Sequence, residues 1–70
     1  MTIINGRIAY IFSDYIGGNI AIDLTKVCAF YADKYDRNKT TICVGGKEYS
    51  VRCSIDEFKK EYFDFLIKYR

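Results

Sequence analysis

Three cysteines, Cys28, Cys43 and Cys53, lie within "VCAFYADKYDRNKTTICVGGKEYSVRC", and the 70-residue chain has no histidine. Thiols can ligate a metal, form a disulfide, act as nucleophiles or fill space. Structural zinc needs four ligands, commonly in close pairs such as C-x-x-C and often with His. Three widely spaced single cysteines do not meet that pattern, so no metal is expected. An odd count in a chain expected to be intracellular argues against a disulfide. A reactive thiolate wants a cation, a helix N-terminus or a His base beside it. Cys43 is expected to face Glu48 across a hairpin, which raises a thiol pKa. The cysteines therefore read as packing residues.

Acid–base chemistry needs carboxylates gathered in a cleft. Asp14, Asp23, Asp33 and Asp36 all fall in turn or loop sequence. No G-x-x-x-x-G-K-[ST], G-x-G-x-x-G or G-x-S-x-G motif occurs, and Gly45-Gly46-Lys47 reads as a hairpin turn. A chain this short leaves little room for a substrate cavity. The expectation is a protein without catalytic residues, enzymatic activity or cofactor.

Two binding chemistries remain. "FYADKYDRNK" offers Tyr31, Lys34, Tyr35, Arg37 and Lys39, with Arg52 beside Lys39 in the hairpin register, a set that could stack bases and contact phosphate. Asp33 and Asp36 interrupt it, and no RNP or helix-turn-helix signature accompanies it. Protein contact suits the same residues better, because Tyr and Arg are enriched at binding hot spots. Tyr10, Tyr15, Tyr31 and Tyr35 cannot all be buried in so small a core. Partner binding through Tyr15, Tyr31, Tyr35 and Arg37 is the favoured expectation, with nucleic-acid or nucleotide binding the alternative.

The elements that must position these residues are legible in order. Asn5-Gly6 marks a hairpin between Ile3-Ile4 and Ile8, Tyr10 and Phe12. "SDYIGGN" is a loop, and "NIAIDLTKV" a short strand with Ile20 and Ile22 on one side, turning at Asp23-Leu24-Thr25-Lys26 into a strand over Val27 to Ala32. "TTICV" and "KEYSVRC" flank Gly45-Gly46 as a second hairpin. Its register puts Ile42, Val44, Tyr49, Val51 and Cys53 on a core face. Thr41, Cys43, Glu48, Ser50 and Arg52 take the polar face. Ser54 and Glu57 form a capping box for the final helix. Its stripe is Ile55, Phe58, Tyr62, Phe65, Leu66 and Tyr69, with Lys68 and Arg70 favourable in the last turn.

Phe63 and Ile67 lie well round from that stripe. They either pack on the N-terminal hairpin or present a surface to a second copy of the chain; self-association is the expectation. Half the residues are hydrophobic and 17% aromatic, which suits one globular domain spanning residues 1–70. Eleven basic and nine acidic residues leave a net charge of +2, too mixed for a polybasic site. No run approaches the roughly 18 apolar residues of a membrane span, and the N-terminus lacks a signal-peptide pattern. A soluble, cytoplasmic protein that does not engage membranes is expected.

The order of NG hairpin, "DLTKV" turn, strand and "VGGKEYSVRCSIDEF" resembles the small FlbD-type proteins found near flagellar genes, up to about Phe58. That resemblance implies a strand meander ending in a helix. The insertion at "SDYIGG", the cysteines and the long aromatic helix depart from it, so no flagellar role is carried over. In size, lack of active-site chemistry and spare aromatic surface, the chain also resembles small phage and mobile-element proteins, anti-CRISPR inhibitors among them. This second resemblance implies an inhibitor that occludes a larger partner. The expected fold is α+β: an antiparallel meander of four to five strands with one long C-terminal helix on one face.

Overall fold

The computed structural model describes residues 3–68. It is α+β, with six antiparallel strands in two three-stranded sheets and one C-terminal helix. The strands are β1 (Ile3–Asn5), β2 (Ile8–Ser13), β3 (Gly18–Asp23), β4 (Val27–Ala32), β5 (Thr40–Val44) and β6 (Lys47–Val51). Helix α1 spans Ile55–Lys68, and Tyr69 and Arg70 of the expected stripe and last turn lie outside the described residues.

The expected meander of four to five strands is corrected to six, divided between sheets β1-β2-β3 and β4-β5-β6. The division falls at Asp23–Lys26. Asp23 accepts hydrogen bonds from the Thr25 backbone N–H (3.0 Å) and hydroxyl (2.6 Å), nucleating a 3-10 turn over Leu24–Lys26. That turn buries Leu24 and redirects the chain, so β3 and β4 belong to different sheets. The sheets meet elsewhere. Among the described residues β1 pairs with Ile8–Tyr10, and β6 meets the other half of β2. There the Arg52 N–H donates to the Phe12 carbonyl (2.7 Å), and the buried Ser13 hydroxyl donates to the Ser50 carbonyl (2.6 Å). β6 thus docks beside β2.

Both hairpins form where glycine permits. Gly45 and Gly46 take φ of 57° and 82°, the positive pair that a two-residue I′ turn requires. The register across them is the expected one, Thr40↔Val51 through Val44↔Lys47. In the first hairpin Asn5 pairs with Ile8, so the loop is Gly6-Arg7, with positive φ at Gly6 alone (63°). That is the glycine-first pattern of a II′ turn.

Strand β4 breaks its own alternation. Val27 pairs with Val44 and Ala29 with Cys43, which makes Cys28 the extra residue of a β-bulge. Val27 and Phe30 consequently both pack against the core, while Cys28, Ala29 and Tyr31 are exposed. The core holds Ala9, Ile11, Ile22, Leu24, Ile42, Val51, Cys53, Phe58 and Phe65. Val44 packs against it half-buried; Tyr49, expected on the core face, is also only half-buried.

Ser54 caps α1, its hydroxyl accepting from the Glu57 N–H (3.2 Å) and its carbonyl from the Phe58 N–H (3.0 Å). Phe58 and Phe65 point into the core. Phe58 and Tyr62 meet Phe30 of β4 edge-on at 4.9 and 5.4 Å. The opposite flank of the helix, with Glu61, Asp64 and Lys68, faces Ile4 and Gly6 across a cavity of about 210 Å³. At 100° per residue, Leu66 and Phe63 lie about 80° and 140° round from Phe58, on the Tyr62 side. Phe63, Leu66 and Ile67 are all exposed, away from the N-terminal hairpin. Leu66 thus leaves the expected core stripe. Among the described residues no helix is long and apolar enough to cross a membrane.

Candidate functional site

On the outer face of β4-β5-β6, Tyr31 pairs with Thr41, and Thr41 with Ser50. The next row holds Ala29, Cys43 and Glu48. The bulge at Cys28 is what turns Tyr31 to this face. From there its phenol reaches diagonally to donate to Glu48 Oε2 at 3.1 Å. Partial burial, then the Glu48 carboxylate, raise the Tyr31 pKa above its ordinary value. Cys43 is likewise pushed up, by burial first and then by Glu48 and Cys28. A thiol shifted upward is a poor nucleophile at neutral pH. Cys28 rests its thiol on the Cys43 carbonyl (3.2 Å), and all three cysteines are free of disulfides. Among the described residues no three His, Cys, Asp or Glu side chains are grouped to hold a metal ion.

Beyond Glu48 the face dips into an open groove of about 350 Å³. Ser13, Thr41, Glu48 and Ser50 line it, and Tyr15 and Ile16, from the loop between β2 and β3, form its apolar lip. Tyr15 is 92% exposed and Ile16 56%. Tyr15 and Tyr31 therefore belong to one surface, although 16 positions separate them in the chain.

Tyr35 and Arg37 lie elsewhere, in the exposed connection between β4 and β5. Asp33 shapes that connection by accepting from the Tyr35 and Asp36 N–H groups (2.8 and 3.0 Å), and Asp36 accepts from the Asn38 N–H (2.8 Å). These carboxylates are turn formers. Lys34 sits over the Tyr35 ring at 5.7 Å, and Tyr35 is 89% exposed. Lys39 and Arg52 do come together, around Asp14 at the start of the β2–β3 loop. Asp14 bonds to the Arg52 guanidinium through both carboxylate oxygens and to Lys39 Nζ at 3.3 Å. Arg52 also lies over the Phe12 ring at 4.8 Å.

No family model matches this chain, and neither a curated protein nor a solved structure is significantly similar to it. The geometry must carry the functional reading.

The Asp14 cluster has a pH signature. The Arg52 bond first, and Lys39 after it, hold the Asp14 carboxyl below its ordinary 3.8. A depressed folded pKa means the ionised acid stabilises the fold above the unfolded value, and that contribution is lost as pH falls through the folded value. Stability therefore falls as pH drops below 3.8. Asp14→Asn should be less stable than wild type near neutrality and lose less on acidification. Urea midpoints on either side of that pH measure both effects, and identical pH profiles would remove Asp14 from the account.

Proposed function

We propose that this chain is a non-enzymatic protein-binding module that acts by covering part of a larger partner, as an inhibitor or regulator does. The observation that carries this reading is the exposed apolar lip of Tyr15 and Ile16 on an open groove, with exposed Tyr31 beside it, bonded to the groove's Glu48. Large exposed apolar groups rimmed by polar ones mark contact surfaces on small proteins. Tyr35 and Arg37, at the tip of the neighbouring connection, extend the contact. The helix flank of Phe63, Leu66 and Ile67 serves a second role, pairing with another copy of the chain.

The nucleic-acid alternative is less well supported. Asp14 pairs with both Arg52 and Lys39 and offsets one of their two charges, and Tyr31 is bonded to a carboxylate that repels phosphate. Only Lys34, Tyr35 and Arg37 remain as an open basic and aromatic tip.

Affinity capture from a lysate of the producing cells, with wild type and a Tyr15→Ala, Tyr31→Ala variant, tests the reading. A captured protein that withstands moderate salt and is reduced about tenfold or more by the two substitutions is expected, since aromatic hot spots cost about 1–2 kcal/mol or more each when truncated. The reading fails if capture ignores both tyrosines. It also fails if the retained ligand is nucleic acid released steeply by salt and lost with Tyr35→Ala, Arg37→Ala.

A further inference from the structure

The groove beside Tyr31 has a hydrogen-bonding character that narrows what can fill it. The Ser13 hydroxyl donates its proton to the Ser50 carbonyl, and the Tyr31 phenol donates to Glu48. The Thr41, Tyr49 and Ser50 hydroxyls that also line the groove can donate or accept, and the Glu48 carboxylate is its one charged group. Its charge is negative, because Glu48 lines it and no lysine or arginine does. Among the described residues no cation pairs with Glu48, whereas the nearby acid Asp14 is held by Arg52 and Lys39. The lip is apolar and aromatic, from Tyr15 and Ile16.

We infer that this groove takes a cationic side chain, specifically the arginine of an extended partner segment. The inference rests on the protein-binding reading and names the chemistry of the partner at that surface. An arginine supplies what the groove lacks. Its guanidinium brings donors and a positive charge to Glu48, its planar face suits the Tyr15 ring, and its alkyl stem lies along Ile16. A carboxylate or phosphate would meet Glu48 with like charge. A neutral apolar side chain would cover Glu48 without pairing it.

The probe is the capped tripeptide acetyl-Gly-Arg-Gly-amide, titrated into the ¹⁵N-labelled protein, with the Gln and Glu tripeptides as comparisons. The arginine peptide should shift the amides of Ser13, Tyr15, Thr41, Glu48 and Ser50 with millimolar affinity, and the other two should not. Glu48→Gln keeps the side-chain shape at an exposed position and should weaken the arginine peptide about fivefold, the scale of one exposed ion pair with some aromatic help. Equal binding of the Gln or Glu peptide overturns the inference. So does an unchanged affinity in Glu48→Gln, or the absence of shifts at these amides up to about 50 mM peptide. The two readings separate cleanly. Partner capture that needs Tyr15 and Tyr31 but tolerates Glu48→Gln retains the binding module and rejects the arginine site. Arginine-peptide binding without tyrosine-dependent capture does the reverse.

Discussion

Phe58→Ala should leave the chain largely unfolded at 25 °C. Phe58 is 1% exposed and joins the two halves of the core. It meets Phe30 edge-on at 4.9 Å and stacks on Tyr62 with ring centres 6.1 Å apart. Truncating a buried phenylalanine removes its transfer free energy and leaves a cavity, about 3–5 kcal/mol together. Cores of domains this small rarely supply more than about 3–5 kcal/mol in total. The loss therefore matches the whole stability, and the near-UV circular dichroism and urea transition should both vanish. Phe58→Leu retains most of the buried volume, so it should stay folded with a lowered midpoint. A Phe58→Ala protein with a near-wild-type urea transition would show that α1 does not hold the sheets together.

Phe63→Asp with Ile67→Asp should abolish the proposed self-association without unfolding the chain. Phe63 is 46% exposed, Ile67 74% and Leu66 40%, and at 100° per residue they lie about 80° to 180° round from Phe58. Lys59 lies over the Phe63 ring at 6.0 Å, giving the strip a polar margin. A two-fold pairing buries the same strip from both copies, so each substitution acts twice. Losing two apolar anchors and burying unpaired carboxylates in their place should weaken association about 100-fold or more. Neither side chain belongs to the core, so the unfolding free energy from urea titration should change by less than about 1 kcal/mol. Sedimentation or native mass spectrometry of both proteins decides the matter. A wild-type protein that is monomeric at high concentration, or a variant with unchanged mass, removes self-association through this flank.

These outcomes test features that were legible to different degrees. The β5–β6 register follows from Gly45-Gly46 and a simple alternation, and Ile42, Val51 and Cys53 are buried as that alternation requires. The helix start follows from Ser54, whose hydroxyl accepts from the Glu57 N–H three residues on. Leu66 was misread because hydrophobic periodicity reports which residues are apolar, not how wide a face the sheets can cover. Of the site, exposed Tyr15, Tyr31 and Tyr35 were apparent as surplus aromatics. Glu48 was visible only as a polar-face residue, and Asp14 only as part of a turn.

The sequence by itself determined the strand and helix positions, the hairpin turns, the helix cap and the polar and apolar faces of β5 and β6. Each depends on side-chain period or backbone preference over a few residues, which the local sequence contains. Tertiary structure alone decided the bulge at Cys28, the docking of β6 on β2, the Asp14 pairing with Arg52 and Lys39, and the meeting of Tyr31 with Glu48. Those features depend on partners 14 to 40 residues apart: Ala29 pairs with Cys43 over 14 positions, Ser50 receives the Ser13 proton 37 positions away, and the Arg52 N–H reaches Phe12 over 40. The bulge lets β4 place both Val27 and Phe30 against the core. A strand that must satisfy its backbone ladder and still bury an aromatic ring under α1 does so by inserting one residue. That balance is struck only once β5 and the helix are in place.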